Sequence, residues 1–173
     1  LTGISNDMVS GKPFFDDVID EFIDFIADYP IVGHNVGFDT KFIKVQSNNK
    51  FNLEIKHQIC DTYLLSKIVL FSNSQFSLEA ISDYYNLPLK NSHRAANDAL
   101  NSGLILLKLV RELLLFDSSI LQRLNNLFNR EHVFNSHLIR SAYKASTTLP
   151  MNSDKEQHYS RESIISYKSS KEE

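Results

Sequence analysis

The sequence holds a single cysteine, Cys60, and no tryptophan. A disulfide framework within one chain and a cysteine-rich zinc site are both excluded. That usage suits a reducing cytosol, so a cytoplasmic location is expected. Positive charge is also lacking. Lys and Arg total 18 against 21 Asp and Glu, for a net charge of −3 and a pI of about 6.1. This argues against a protein whose affinity for nucleic acid rests on a broad phosphate-neutralising face. It leaves room for an enzyme that holds a strand end through metal ions, because metal-binding carboxylates lower net charge. There is no signal peptide and no apolar run of membrane-spanning length. The longest apolar stretch, Leu104 to Phe116, is interrupted by Lys108, Arg111 and Glu112. No membrane association is expected. Residue 1 is Leu rather than Met.

What is present is enough for one domain and an appendage. The chain has 173 residues, 42% of them hydrophobic, with 12 Phe and 7 Tyr. Residues 1–12 read as a loop that ends in Ser10-Gly11-Lys12-Pro13. Pro13 is expected at the first position of a helix, where its missing N–H costs nothing. Phe15, Val18, Phe22, Phe25 and Ile26 recur at helical spacing, with Asp16, Asp17, Asp20, Glu21 and Asp24 largely on the other side. Tyr29-Pro30 ends that helix.

Ile31-Val32-Gly33 is a short β-prone run suited to a buried strand. A second helix is expected from near Phe38 through Val45, and a short strand between Ile55 and Cys60. Asp61 reads as the N-cap of a helix over 62–70, and Ser77 as the cap of one running through Tyr85. A long helix is expected from about Ala95 to Phe116, a further one from Ser118 to Phe128, and helical character from Glu131 to Ala145. From Ser146 the composition turns to Ser, Lys, Glu, Asn and Gln. Residues 147–173 read as a flexible tail or linker.

Two segments carry chemistry. In the first, a strand leads through Gly33-His34-Asn35 into a helix whose first turn holds Asp39. Functional groups in an open α/β sheet sit there, just past the carboxyl end of a strand. The blander reading is that Asp39 complements the helix dipole while His34 and Asn35 hydrogen-bond the turn. The second segment is His93 to Asp98. On one helix, five residues would rotate the two about 140° apart. They converge if His93 lies in the loop before the helix, as Asn91-Ser92 suggests, and Asp98 in its early turns. A loop histidine beside a helix-borne carboxylate suits a general base next to a metal ligand. The blander reading is a surface histidine and a helix N-terminal aspartate.

Together, His34-Asn35-x-x-Phe38-Asp39 and His93-x-x-x-x-Asp98 resemble the second and third motifs of the DEDD exonuclease family, histidine subtype, also called DnaQ-like. The tyrosine subtype has Tyr four residues before the last Asp, a position held here by Arg94. The likeness extends to Leu1-Thr2-Gly3-Ile4-Ser5, to Cys60-Asp61-Thr62-Tyr63-Leu64-Leu65-Ser66, and to Ser77-Leu78-Glu79-Ala80-Ile81. It covers roughly residues 1–115.

The resemblance implies an α/β, RNase H-like exonuclease fold, with a central mixed sheet flanked by helices. It implies hydrolysis from 3′ ends by two divalent ions, Mg²⁺ or Mn²⁺, about 3.5–4 Å apart. By residue, it implies Asp39 and Asp98 as metal ligands and His93 as general base. Phe38 is expected to pack beneath the site, and His34 and Asn35 to shape its turn. The implied substrate is a single-stranded 3′ end of DNA, with RNA as the alternative. The implied setting is a proofreading domain akin to DNA polymerase III epsilon or the N-terminal domain of a DinG-type helicase. A non-catalytic exonuclease-like binding module is the alternative of another class.

One departure is large. The family's first motif, an Asp-x-Glu on the first strand, would lie before Leu1. The acidic residues Asp16 to Asp24 are no substitute, since they fall on the solvent side of a helix. The expectation is therefore a fold lacking its first three strands, with residues 1–115 a partial exonuclease domain, 116–146 a helical connector and 147–173 the tail. Two carboxylates and a histidine are few for two hard cations. Weak activity of these residues alone is expected, as are exposed apolar faces.

Overall fold

The structure, a computed structural model, describes residues 4–87, 95–129 and 134–148. His93, with Asn91, Ser92 and Arg94, lies outside the described residues, as does 149–173 of the expected tail. The chain forms two compact units, one through Leu109 and one from Val110 onward.

The first unit opens with a short helix, α1 (Asn6–Val9), where the sequence suggested only loop. Helix α2 (Phe15–Ile26) follows. Pro13 stands just outside it rather than at its first position. The cap residue is Phe14, in extended conformation, and the Asp17 carboxylate accepts the Phe14 N–H at 2.9 Å. That bond satisfies a backbone donor which would otherwise be orphaned at the helix start. The acidic residues of α2 are exposed, as their spacing implied, and Ile19 is buried. Phe22 and Phe25, on its apolar side, are exposed, in line with the exposed apolar faces expected from the sequence. Phe25 is 81% exposed. With Phe15, Val18, Phe42 and Ile43 they line an apolar groove of about 570 Å³.

Strand β1 (Ile31–Gly33) pairs in parallel with β2 (Ile59–Asp61), Val32 opposite Cys60. Helix α3 (Gly37–Gln46) and a single turn, α4 (Leu53–Lys56), connect them. A parallel pair needs such a crossover. The strand expected within 55–60 thus starts later, because Leu53 to Lys56 close a helical turn first. All three residues of β2 are buried, and burial pushes the Cys60 thiol up to about 11, leaving it inert as a nucleophile.

Asp61 caps α5 (Thr62–Val69), and Ser77 caps α6 (Leu78–Tyr84) by accepting from the Ala80 N–H. Helix α7 (Ala95–Leu113) carries Asp98 in its first turn. The core of this unit gathers Val36, Leu53, Ile59, Leu65, Val69, Ile81 and Ile105.

In the second unit α8 (Ser118–Leu127) packs on α9 (Ser136–Thr148). Leu121, Ile139 and Ala142 are buried. Helix α9 runs two residues into the segment read as tail. His137 is held below its ordinary range by burial, with Arg140 adding in the same direction. No described helix is long and apolar enough to cross a membrane. Among the described residues the architecture is helix-rich α/β with a small parallel sheet, compatible with an α/β exonuclease domain.

Candidate active site

The turn between β1 and α3 is the organising feature. Gly33 ends the strand, and a Cβ there would meet the Val36 side chain at 2.9 Å. Only glycine leaves room for the chain to fold this tightly over buried Val36. Asn35 then takes φ 63°, in the left-handed region that asparagine tolerates better than most residues. Its carbonyl accepts the Phe38 N–H at 3.1 Å, starting the first turn of α3. Asp39 follows in that turn.

His34 is clamped from two sides. Its Nε2 lies 2.8 Å from the Phe76 carbonyl oxygen. A carbonyl only accepts, so Nε2 carries the proton. Nδ1 lies 3.0 Å from the Thr62 hydroxyl, whose single proton is shared between Nδ1 and the Gly33 carbonyl 3.1 Å away. The ring meets the edge of Tyr63 at a centroid distance of 5.7 Å, and Lys67 Nζ sits 4.0 Å over the Tyr63 ring. Burial lowers the His34 pKa below its ordinary value, against the opposing pull of the Phe76 carbonyl and the Asp61 charge. His34 is therefore built into the wall as a neutral ring.

A cleft of about 510 Å³ is lined by Val32, His34, Asn35, Phe38, Asp39 and Asp98, among others. The two acidic residues come from distant places in the sequence: Asp39 from the first turn of α3, Asp98 from the first turn of α7. Asp39 is open to solvent and Asp98 half-buried. The cleft walls still strip some water from Asp39. This partial burial raises its pKa, the Asp61 charge pushes the same way, and its own backbone N–H opposes. A carboxylate held above its usual range gains from a nearby cation. Carboxylate oxygens are hard ligands suited to Mg²⁺ or Mn²⁺. Mg²⁺ commonly takes one or two carboxylates and completes its shell with water and substrate phosphate, so two carboxylates are a donor set of the kind such an ion uses. Among the described residues, no group of three or more His, Cys, Asp and Glu side chains comes together as a metal site.

Phe38 corrects one expectation. It does not pack beneath the site but stands 73% exposed on the cleft wall. The reason is helical phase. Thr40 and Ile43 turn the inner side of α3 toward the fold, and Phe38 falls outside that stripe.

Asp61 does more than its reading as a helix cap suggested. It is 2% exposed, and its Oδ1 accepts from Tyr63 at 2.9 Å, from Leu64 at 3.3 Å and from the Asn35 N–H at 3.1 Å. The first two bonds are the cap. The third ties the β1–α3 turn, and no local sequence signal marks it. Its trace is indirect, as the parallel register sets Gly33 beside Asp61.

Comparison with known proteins agrees with this picture. The family model described as Exonuclease matches residues 1–106. The 3′-5′ exonuclease DinG of Staphylococcus epidermidis is 34% identical over 109 residues, 62% of this chain and 12% of that protein. The DNA polymerase III subunit epsilon of Aquifex aeolicus is 32% identical over 113 residues, 65% of this chain and 56% of that protein. A DNA polymerase III PolC-type protein of Caldanaerobacter subterraneus is 30% identical over 113 residues, 65% of this chain and 8% of that protein. This chain therefore spans only part of each relative's length. No solved structure matches it. The match over residues 1–106, with relatives among DinG and DNA polymerase III proteins, shows that the chain belongs to the exonuclease family, in keeping with the DEDD motifs.

Proposed function

We propose that these residues form part of the site of a 3′→5′ exonuclease of the histidine subtype acting on DNA. The observation that carries the reading is the convergence of Asp39 and Asp98 on one cleft from two separate helices. The relatives add weight, since one is named a 3′-5′ exonuclease and two are named DNA polymerase III proteins.

In this reading Asp39 and Asp98 hold divalent metal, Mg²⁺ or Mn²⁺. The metal, when bound, supplies charge stabilisation for the attacking and leaving oxygens. His93 accepts the proton of the attacking water. The water oxygen bonds to the terminal phosphorus, the bond from phosphorus to the 3′ oxygen breaks, and a nucleoside 5′-monophosphate leaves. The freed 3′ oxygen takes a proton from solvent, so the remaining strand keeps a new 3′ hydroxyl, and His93 returns its proton to solvent. His34, part-buried with its Nε2–H on the Phe76 carbonyl and its Nδ1 against the Thr62 hydroxyl, is not assigned the proton of the attacking water. It holds the cleft wall. Exposed Phe38 offers an apolar surface on which a terminal base stacks. The protein works on single-stranded 3′ ends, beside a DNA polymerase or a fused helicase domain.

The test is digestion of matched single-stranded DNA and RNA oligonucleotides by the full natural polypeptide with Mg²⁺. Stepwise shortening of DNA from the 3′ end, with nucleoside 5′-monophosphates as product, is the expected result. Preferential digestion of RNA overturns the substrate assignment. Cleavage within the strand, or none, overturns the reaction.

A further inference from the structure

We propose that Asp61 is a positioning residue of the cleft, one that acts on metal binding through the backbone of Asn35 rather than by touching the metal. The inference rests on the reading of Asp39 as a metal ligand.

Asp61 is a buried carboxylate at a helix cap. Asp61 ends β2 and opens α5, and it is 2% exposed. One oxygen, Oδ1, accepts three backbone N–H groups. Those of Tyr63 and Leu64 belong to the first turn of α5, where any good cap satisfies them. The N–H of Asn35 comes from 26 residues upstream, from the turn that launches α3. A charged acceptor makes such bonds stronger than a neutral one does.

The Asn35 bond acts where the backbone most needs it. Asn35 has φ 63°, a conformation that persists in a non-glycine residue when its surroundings hold it. Its N–H goes to Asp61 and its C=O receives Phe38. That pair of bonds joins the Thr40 N–H bond to the Val36 carbonyl in orienting the first turn of α3, and with it Asp39. Removing the Asp61 bond leaves the turn held by Phe38 alone at this residue. Groups that orient a metal ligand from behind typically change metal affinity by about 10–100-fold when removed.

The cap and the tie can be separated by chemistry. Serine is a good N-cap and reaches the α5 N–H groups, but its side chain is too short for Asn35 as well. Asparagine keeps an oxygen in the place of Oδ1. The experiment measures Mn²⁺ affinity by electron paramagnetic resonance on the full natural polypeptide, in wild type, Asp61→Ser, Asp61→Asn and Asp39→Asn. Hydrogen exchange of the peptide containing Asn35 and of that containing Tyr63 and Leu64 is followed in parallel.

Asp61→Ser is expected to lose about tenfold or more in affinity and to exchange faster at Asn35, with Tyr63 and Leu64 still protected. Asp61→Asn, which keeps the acceptor but not its charge, is expected to fall between wild type and Asp61→Ser in both measurements. Wild-type affinity in Asp61→Ser, at a site that Asp39→Asn abolishes, overturns the positioning role and leaves the metal reading standing. Mn²⁺ binding that Asp39→Asn does not weaken overturns the metal reading and this inference with it. If Asp61→Ser fails to fold, the Asn35 peptide in wild type decides. Exchange there as fast as in an unfolded chain overturns the tie, and protection matching that of Tyr63 and Leu64 supports it.

Discussion

The His34 imidazole donates its Nε2–H to the carbonyl oxygen of Phe76 at 2.8 Å, joining the turn after β1 to the loop before α6 across 42 residues. The bond fixes the ring's tautomer and makes the cleft wall continuous with the cap of α6. It also makes the wall sensitive to acid.

Burial lowers His34 below its ordinary 6.5. The folded chain then binds this proton less tightly than the unfolded chain does. The neutral ring contributes its full stability above about pH 6.5 and loses it as pH falls through the lowered value. His137 is lowered as well and adds a loss of the same sign. Melting temperature should therefore drop as pH goes from about 8 to about 5, and less steeply in His34→Gln, whose amide keeps a donor for Phe76. An NMR titration placing the His34 midpoint at or above 6.5 contradicts this.

Asp39 behaves in the opposite sense. Partial burial first, and the Asp61 charge second, raise its carboxyl above 3.8. A raised carboxyl favours the fold when protonated, below about 3.8, and that contribution is lost as pH rises through the raised value. At neutral pH the cation-free fold thus carries a charge it is better without. Asp39→Asn is expected to melt at a higher temperature than wild type in chelator. The gain should shrink toward acid pH. Added Mn²⁺ should raise the wild-type melting temperature while leaving the variant nearly unchanged. A variant that melts lower than wild type in chelator runs against this.

Gly33→Ala tests the turn itself. The added Cβ meets the Val36 Cβ and Cγ2 at 2.9 Å, and Val36 is 2% exposed, with little room to move. Overpacking of this kind costs about 1–3 kcal/mol. Chemical denaturation should show that loss, and Mn²⁺ affinity should fall with it, because the same turn carries Asn35 and Asp39. An unchanged denaturation midpoint removes the steric case for glycine.

Much of the fold was legible because it rests on local rules. The caps at Asp61 and Ser77 follow from side chains that satisfy the first N–H groups of a helix. The start of α3 and the place of Asp98 in the first turn of α7 follow from strand and helix spacing. What stayed hidden is non-local. The bond of His34 to Phe76 spans 42 residues and that of Asp61 to Asn35 spans 26. No window of periodicity reaches either one. At the start of α2 one local rule outweighs another: Pro13 suits a first helical position, but the Asp17 carboxylate accepts the Phe14 N–H and makes Phe14 the cap. The apolar pattern of Phe22 and Phe25 correctly gives one face of a helix but not whether anything covers it. Both line an open groove in the described structure.

The most direct measurement is the rate at which the full natural polypeptide shortens a 5′-labelled single-stranded DNA with Mg²⁺, in wild type, Asp39→Asn, Asp98→Asn and His93→Ala. Both aspartate variants should lose nearly all activity, and His93→Ala about 10²–10⁴-fold, the range for a general base. Digestion at the wild-type rate by either aspartate variant would contradict the assignment of Asp39 and Asp98 as the ligands that make this cleft a nuclease.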